Sequence, residues 1–246
     1  MKTKILKTFL LLAVAVLPMA VLAVGARPAG AGVYSQNIVG YVNKTLPGSN
    51  AYSQISAPFV PGNNTVEAIM PALQKGDKIS LWTGSQFLAL TYAGTNFDGQ
   101  GHAWMDHQGH GRKSPLLHPG QAFFYQNNGA APVTNTFVGS VLPSGDTTIP
   151  GGHAYTMLAS AVAKVAPLDS PDLALPLQPG DRIMIFIGDH YHSFTFKGAN
   201  FDGHGHAFAD AAGHGQPAPV LQVGQGFFYQ NNQDTAEIWH QTSKLY

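Results

Sequence analysis

The sequence predicts an all-β protein with minor short helices, built from two tandem homologous units of the β-sandwich or barrel type. Three observations support this: a long internal duplication, many short strand-like segments, and an unusual composition. Charged residues make up 11% of the 246-residue chain, against roughly 25% in an ordinary globular domain. The chain has 28 glycines and no cysteine, so core packing without disulfides must hold the fold together.

The duplication relates two long stretches of the chain at an almost constant offset. Its matched segments are Asn96–Ala103 with Asn200–Ala207, Gly120–Asn128 with Gly224–Asn232, Leu73–Ile79 with Leu177–Ile183 and, more loosely, Leu46–Tyr52 with Ile149–Tyr155. The first three pairs share an offset of 104 residues and the last has 103. Two repeats of this length indicate tandem domains and not a solenoid. We place the first unit at residues 32–132 and the second at residues 133–246.

The start of the chain has the pattern of a secretory signal peptide. Lys2, Lys4 and Lys7 precede an apolar run from Phe9 to Val24, and small residues follow. A retained membrane anchor is the alternative, but the run is short for a span of about 20 residues and contains a proline. We therefore predict a cleaved signal over residues 1–31. The protein is then secreted, extracellular or at the cell surface, with the periplasm left open.

Removal of the signal changes the charge of the chain. It leaves nine basic against 13 acidic residues, a net charge of −4. Nucleic-acid binding usually requires a basic face, so we expect no nucleic-acid partner. No second long apolar run follows, so we expect no membrane span after cleavage.

Short strands punctuated by turns are predicted throughout each unit. In the first unit the predicted strands are Ile38–Val42, Tyr52–Ser56, Ile79–Trp82, Phe87–Thr91 and Ala122–Gln126. A short helix is predicted at Val66–Leu73, with Asn64 as its cap and Glu67 completing a capping box.

Three further β-rich segments open, join and close the units. They are Tyr34–Val42, Thr134–Val141 and Ala236–Gln241. If each unit uses one of them, one is left over. A spare strand can pair with its own sheet edge or with another chain, and the second alternative predicts self-association.

Two segments resemble a family of uncharacterised secreted bacterial proteins. They are Asn37–Asn43 with Leu46-Pro47, and Val220–Tyr229. Members of that family carry duplicated units with a "VGYVN…LP" opening and an "L.PGQGFF" strand. The resemblance covers most of the mature chain and implies export and a duplicated β fold, but no catalytic residues. The Gly-His stretches of this chain depart from the family pattern.

A histidine- and glycine-rich segment is the sharpest chemical signal. Aspartate and histidine alternate at intervals of four in both units, at Asp98, His102, Asp106 and His110 and again at Asp202, His206, Asp210 and His214. The interspersed glycines favour a loop over a helix. Imidazole and carboxylate groups suit Zn²⁺, Ni²⁺ or Cu²⁺, and carboxylates with carbonyls suit Ca²⁺. A divalent metal site is one hypothesis, and a structural loop or an organic-ligand loop are the others.

Aromatic residues provide a second candidate site. Side chains alternate in a strand, so Phe124 and Phe228 should face away from their aromatic neighbours. One interpretation is core on one face and part-covered surface on the other. The alternative is a sugar-binding platform for a cell-surface polysaccharide, formed by Trp82, Trp104, Tyr125 and Tyr229.

Catalytic patterns are weak in this sequence. It has no Gly-x-Ser-x-Gly motif, no cysteine nucleophile and two unmatched glutamates, Glu67 and Glu237. We therefore expect a non-enzymatic structural, adhesive or binding protein that acts at the cell surface or outside the cell. A metal-binding module and a carbohydrate-binding protein are the alternatives, and a metal-dependent hydrolase is the enzymatic one.

Overall fold

A computed structural model of the protein describes residues 38–243. The predicted signal peptide lies outside the described residues. The described chain is nearly all β, with two six-stranded antiparallel sheets in two similar units, which confirms the predicted fold class. Within residues 38–243 no helix has the length and apolar character needed to cross a bilayer.

The first unit contains eight strands and one short helix. They are β1 (Val39–Leu46), β2 (Tyr52–Ser56), α1 (Val66–Ile69), β3 (Lys78–Trp82), β4 (Phe87–Tyr92), β5 (Trp104–Met105), β6 (Gly111–Arg112), β7 (Ala122–Gln126) and β8 (Val133–Ser140). The five strands predicted for this unit are all present, with two of them at the predicted bounds.

The second unit repeats this order and adds two very short strands. It contains β9 (Ser144–Ile149), β10 (Tyr155–Ala159), β11 (Ala166–Pro167), β12 (Arg182–Ile187), β13 (His190–Phe196), β14 (Phe208–Ala209), β15 (Gly215–Gln216), β16 (Val220–Leu221), β17 (Gly226–Gln230) and β18 (Glu237–Thr242).

The main sheets have the same strand order in the two units. The first runs β2-β7-β3-β4-β5-β6 and the second runs β10-β17-β12-β13-β14-β15. Each unit also has a two-stranded antiparallel ladder, β1 with β8 and β9 with β18. The prediction of a spare strand was wrong, because Ser144–Ile149 is a fourth segment that pairs with the closing strand. Self-association through a leftover strand therefore loses its basis.

The boundary between the units lies later than predicted. β8 pairs with β1 along its whole length, and Phe137 and Val141 pack in the first core. Residues 133–141 therefore belong to the first unit and not, as predicted, to the second. We take the first unit as residues 38–141 and the second as residues 142–243.

The helix is shorter than predicted and is capped differently. It ends at Ile69, and Thr65 is the N-cap residue, without a side-chain capping hydrogen bond. Glu67 does not complete a capping box, because its Oε1 accepts hydrogen bonds from Trp104 Nε1 (2.7 Å) and from the hydroxyl of Ser114. A buried indole N–H needs an acceptor, and this partner outweighs the local cap.

Strand alternation divides the aromatic residues of β7 and β17 between two environments. Phe123 and Tyr125 lie in the core of the first unit, while Phe124 faces the opposite way. β17 repeats this, with Phe228 facing away from the core of the second unit. The predicted alternation is confirmed. The faces opposite the two cores meet each other and form a third apolar cluster between the units.

The contact between the units follows the duplication. Ser56 N donates to Gly224 O (3.1 Å), and at the equivalent positions Ala159 N donates to Gly120 O (2.9 Å). These reciprocal bonds give the interface an approximate two-fold symmetry. Surface features at this interface therefore come in related pairs, and differences within a pair mark divergence.

Candidate functional site

Six aromatic side chains at equivalent positions of the two units meet at the interface. We call them the interface aromatic cluster: Trp82, Phe87 and Phe124 from the first unit, and Phe186, Tyr191 and Phe228 from the second. They lie on β3, β4 and β7 and on the corresponding strands β12, β13 and β17. Each sheet contributes through the face that does not cover its own core.

The rings of the cluster contact one another edge to face. The centroids of Phe124 and Phe186 are 5.3 Å apart, and those of Trp82 and Phe228 are 5.5 Å apart. Such contacts add about 0.5–1.5 kcal/mol beyond area burial. Phe87 and Tyr191 are nevertheless 42% and 41% exposed, so the cluster is also partly open to solvent.

An apolar cavity opens beside the cluster. This aromatic cleft has a volume of about 290 Å³ and is lined by Tyr52, Ser80, Phe87, Phe124 and Phe186. Tyr52 lies at its edge with 44% of its surface exposed, and its ring is 6.1 Å from that of Phe124. The cleft therefore presents aromatic rings from both units to solvent.

Two further clefts, both more polar than the aromatic cleft, lie on either side of the interface. The symmetry of the interface relates them to each other. The larger, the Lys44 cleft, has a volume of about 440 Å³ and lies against β1, β2 and residues 222–225. The other, the Thr147 cleft, has a volume of about 300 Å³ and lies against β9, β10 and residues 119–122. Tyr52 and Phe186 line both the aromatic cleft and the Lys44 cleft, so these two are adjacent.

The symmetric clefts differ in charge. Lys44 occupies the position that Thr147 holds in the second unit, and Asn43 occupies that of Asp146. Lys44 Nζ donates to Gly224 O across the interface (2.9 Å). Burial lowers the pKa of Lys44 from 10.5 to about 8, because a low-dielectric environment disfavours the ammonium ion.

The Asp-His loops have a different construction from that of a metal centre. In the first unit Asp98 Oδ2 lies 2.5 Å from His102 Nδ1, and Asp98 Oδ1 accepts the backbone N–H of Gln100 (2.9 Å). The hydrogen bond with His102 is the main cause that lowers the pKa of Asp98. Asp98 and His102 thus form one local pair.

Asp106 and His110 form a separate group. The Oδ2 atom of Asp106 accepts hydrogen bonds from Arg112 Nη2 (2.7 Å) and Nε (3.0 Å), and lies 3.5 Å from His110 Nδ1. Oδ1 accepts the N–H groups of Gln108 (2.9 Å) and His110 (3.0 Å). Partial desolvation opposes the effect, but these hydrogen bonds bring the pKa of Asp106 down to about 2. The carboxylate is already well satisfied.

The second unit repeats this arrangement, except that one residue that binds an aspartate differs. Asp202 Oδ2 lies 2.6 Å from His206 Nδ1, and this bond lowers the pKa of Asp202 to about 2. Asp210 accepts the N–H of His214 (2.9 Å), and Gln216 takes the place of Arg112.

The eight predicted metal ligands are therefore brought together as four pairs. Across residues 38–243 no three His, Asp or Glu side chains come together as a metal site would require. The metal hypothesis stays a prediction. The described hydrogen bonds support the alternative of a structural loop, in which aspartates satisfy backbone N–H groups.

Gly111 and Gly215 hold equivalent positions beside an Asp-His pair in the two units. A Cβ atom at this position would overlap Asp98 Oδ2 and His102 Nδ1. Gly215 has the same relation to Asp202 and His206. The Asp-His pair thus packs directly on the backbone of the short strand that follows the loop.

We expect Gly111→Ala to separate this pair and to destabilise the protein by about 1–3 kcal/mol, because an added methyl group in a packed site costs that much. Chemical denaturation measures the loss. Gly62→Ala is the matched control, since no atom of the described residues lies within 4 Å of a Cβ there. Equal stability of the two variants would contradict the packing role of the loop.

Three of the four predicted ligand-binding aromatics are in the cores. Trp104 and Tyr229 are 0% exposed and Tyr125 is 1% exposed, so the prediction that they form a surface platform was wrong. Trp104 is held by Glu67, and the two tyrosines donate to Asp77 and Asp181. Trp82 alone lies at the interface, where its Nε1 donates to Tyr155 O (2.9 Å).

Comparison with family models, with curated proteins and with solved structures finds no match to this chain. The resemblance to secreted bacterial proteins with duplicated units therefore stays a prediction.

Sequence reasoning missed Tyr52, Phe87, Phe186 and Tyr191 as members of the site. A signal for them was present, because the offset that aligns the units matches Phe87 with Tyr191. The same register matches Trp82 with Phe186. Aromatic residues repeated on strands of both units, outside the most similar segments, indicate a shared surface.

Proposed function

We propose that the protein is an exported, non-enzymatic binding protein that acts at the cell surface or outside the cell and recognises saccharides at the aromatic cleft between its units. The observation that carries this proposal is a set of partly exposed rings from both units around one cavity. Rings with an exposed face suit the apolar faces of sugar rings, because they offer a large contact area at little entropic cost.

Polar groups around the cleft support the same proposal. Ser80 lines the aromatic cleft, and the adjacent Lys44 cleft adds Asn43, Gln222 and Gln225. Amide and hydroxyl groups beside aromatic rings can orient the hydroxyl groups of a sugar. Export, predicted from residues 1–31, would bring this cleft into contact with extracellular polysaccharide.

The binding test is a glycan array followed by calorimetric titration of the mature full chain. We expect Phe87→Ala to weaken the binding of an array-positive oligosaccharide about tenfold, or ~1.4 kcal/mol, because one stacking ring is lost. Tyr52→Ala should act in the same direction from the opposite edge of the cleft.

The matched control is Phe97→Ala, which removes a ring that is 38% exposed and lies outside the cleft. Its affinity should equal that of the unaltered protein. Thermal unfolding of each variant separates loss of the ring from loss of the fold. An array without binding, or equal affinities for the three variants, would refute the proposed function.

A further inference from the structure

The Lys44 cleft and its symmetric counterpart, the Thr147 cleft, are lined by residues of different charge. Lys44 replaces Thr147, Asn43 replaces Asp146, and no acidic residue of the described part of the chain lines the cleft. The difference does not follow from overall charge, because the mature chain has a predicted net charge of −4. One of two equivalent clefts has therefore become cationic in an acidic protein.

The ammonium group of Lys44 has spare donor capacity. Its described partner is the carbonyl oxygen of Gly224, and among residues 38–243 no carboxylate forms an ion pair with it. An ammonium group carries three N–H donors. A half-buried cation without a counter-ion is costly, and an anionic ligand would remove part of that cost.

A second unpartnered donor, closed off from solvent, belongs to a residue that lines the same cleft. Gln54 is 5% exposed, and its Oε1 accepts the backbone N–H of Phe186 (3.2 Å), which fixes the orientation of the amide. Its Nε2 has no hydrogen-bond partner among the described residues. The equivalent position in the Thr147 cleft is Met157, so this donor is also particular to the Lys44 cleft. Buried donors without partners are rare in folded proteins.

We infer that the Lys44 cleft binds the carboxylate group of an acidic saccharide, with Lys44 as its counter-ion. This inference rests on the proposed function and names the class of saccharide. The rings of Tyr52 and Phe186 line both the Lys44 cleft and the aromatic cleft, so one uronate oligosaccharide can place a sugar ring on them and a carboxylate beside Lys44.

The test compares a panel of uronate oligosaccharides with their methyl esters, which differ only in the charge of the carboxyl group. We expect the unaltered mature chain to bind at least one acid about tenfold more tightly than its ester, because charge-assisted hydrogen bonds are roughly twice as strong as neutral ones. Lys44→Met should remove this preference and leave binding of the ester within about twofold.

Lys113→Met is the matched control, since Lys113 is exposed and does not line the cleft. It removes the same charge and should preserve the preference for the acid. Unfolding curves for each variant establish that it is folded.

The pH dependence gives an independent readout. With the pKa of Lys44 at about 8, binding of the acid should weaken as pH rises from 7 to 9.5, while binding of the ester stays constant. Among the described residues, Tyr52 on β2 is the other titratable one that lines the cleft. The paired strand β8, strand β12 and residues 222–225 contribute none there. Tyr52→Phe therefore isolates the titration of Lys44.

The outcomes distinguish the inference from the proposed function. Binding of neutral glycans without any preference for acids, or a preference that survives Lys44→Met, would overturn the inference and leave the proposed function standing. Failure to bind any glycan would overturn both. A preference abolished by Lys44→Met and retained in Lys113→Met would support both.

Discussion

Asp77→Asn should be among the most destabilising substitutions in this chain, with an expected loss of about 2–4 kcal/mol. Asp77 is fully buried. Its Oδ1 accepts the N–H of Asn128 (2.9 Å), and its Oδ2 accepts the N–H of Gln74 (2.8 Å) and the hydroxyl of Tyr125 (2.6 Å). In either orientation, the amide of asparagine would direct an N–H group at a donor.

The environment of Tyr125 keeps its hydroxyl protonated, as the hydrogen bond to Asp77 requires. Burial, followed by the nearby Asp77 carboxylate, raises the pKa of Tyr125 well above its usual value. The hydroxyl therefore keeps its proton and remains a donor. Asp181 repeats the arrangement with Gln178, Asn232 and Tyr229, so Asp181→Asn should have a comparable cost.

Denaturant unfolding measures this loss, and Asp146→Asn provides the matched control. Asp146 has a side chain that is 65% exposed and pairs with His240 (2.7 Å). Exposed substitutions of this kind usually change stability by less than about 0.5 kcal/mol. A comparable loss in Asp146→Asn and Asp77→Asn would show that burial of the carboxylate does not set the cost.

The strands were predictable because local signals and burial agree in them. In β7, aromatic and aliphatic residues alternate between two apolar environments, and the turn at Gly120 limits the strand. The predicted and observed bounds of β7 and β2 are identical. The helix begins at the predicted Val66 but ends at Ile69, before the predicted Leu73. Its predicted capping box is absent, because Glu67 accepts a hydrogen bond from Trp104, which is distant in sequence.

The structural role of Asp77, a buried hydrogen-bond acceptor, was not predictable from its position in a Gly-Asp turn. Gly76-Asp77 has the composition of an exposed turn, and it does form a turn. However, the carboxylate points inward and connects this turn to Asn128 and Tyr125, about 50 residues away. A contact between distant parts of the chain leaves no mark in local composition.

The candidate site was harder to predict because it belongs to neither unit alone. The Asp-His loops have a regular spacing, but their Asp-His pairs at 98/102 and 202/206 pack against the backbone of Gly111 and Gly215. The interface instead joins Phe87 and Tyr191 with residues from other strands, and only the fold brings them together. The spacing of residue types along the sequence identifies loops well. It is a poor guide to a surface that two sheets share.

Phe124→Ala should cost about 3–5 kcal/mol, the usual range for removing a buried phenylalanine. Phe124 is 7% exposed, and its ring centroid lies 5.3 Å from that of Phe186 and 6.3 Å from that of Tyr191. Both partners belong to the second unit. The substitution should therefore destabilise both units, although it lies in the first.

Hydrogen exchange measured by mass spectrometry tests this coupling, because it reports protection for each unit separately. In Phe124→Ala, protection should fall in β17 and β10 as well as in β7. Phe228→Ala should produce the reciprocal loss in the first unit, since its ring lies 5.5 Å from Trp82. Phe201→Ala, at a position that is 38% exposed, is the matched control and should leave exchange in both sheets unchanged. Loss of protection confined to the substituted unit would mean that the two sheets fold independently. A cleft formed by both sheets would then not have a fixed geometry.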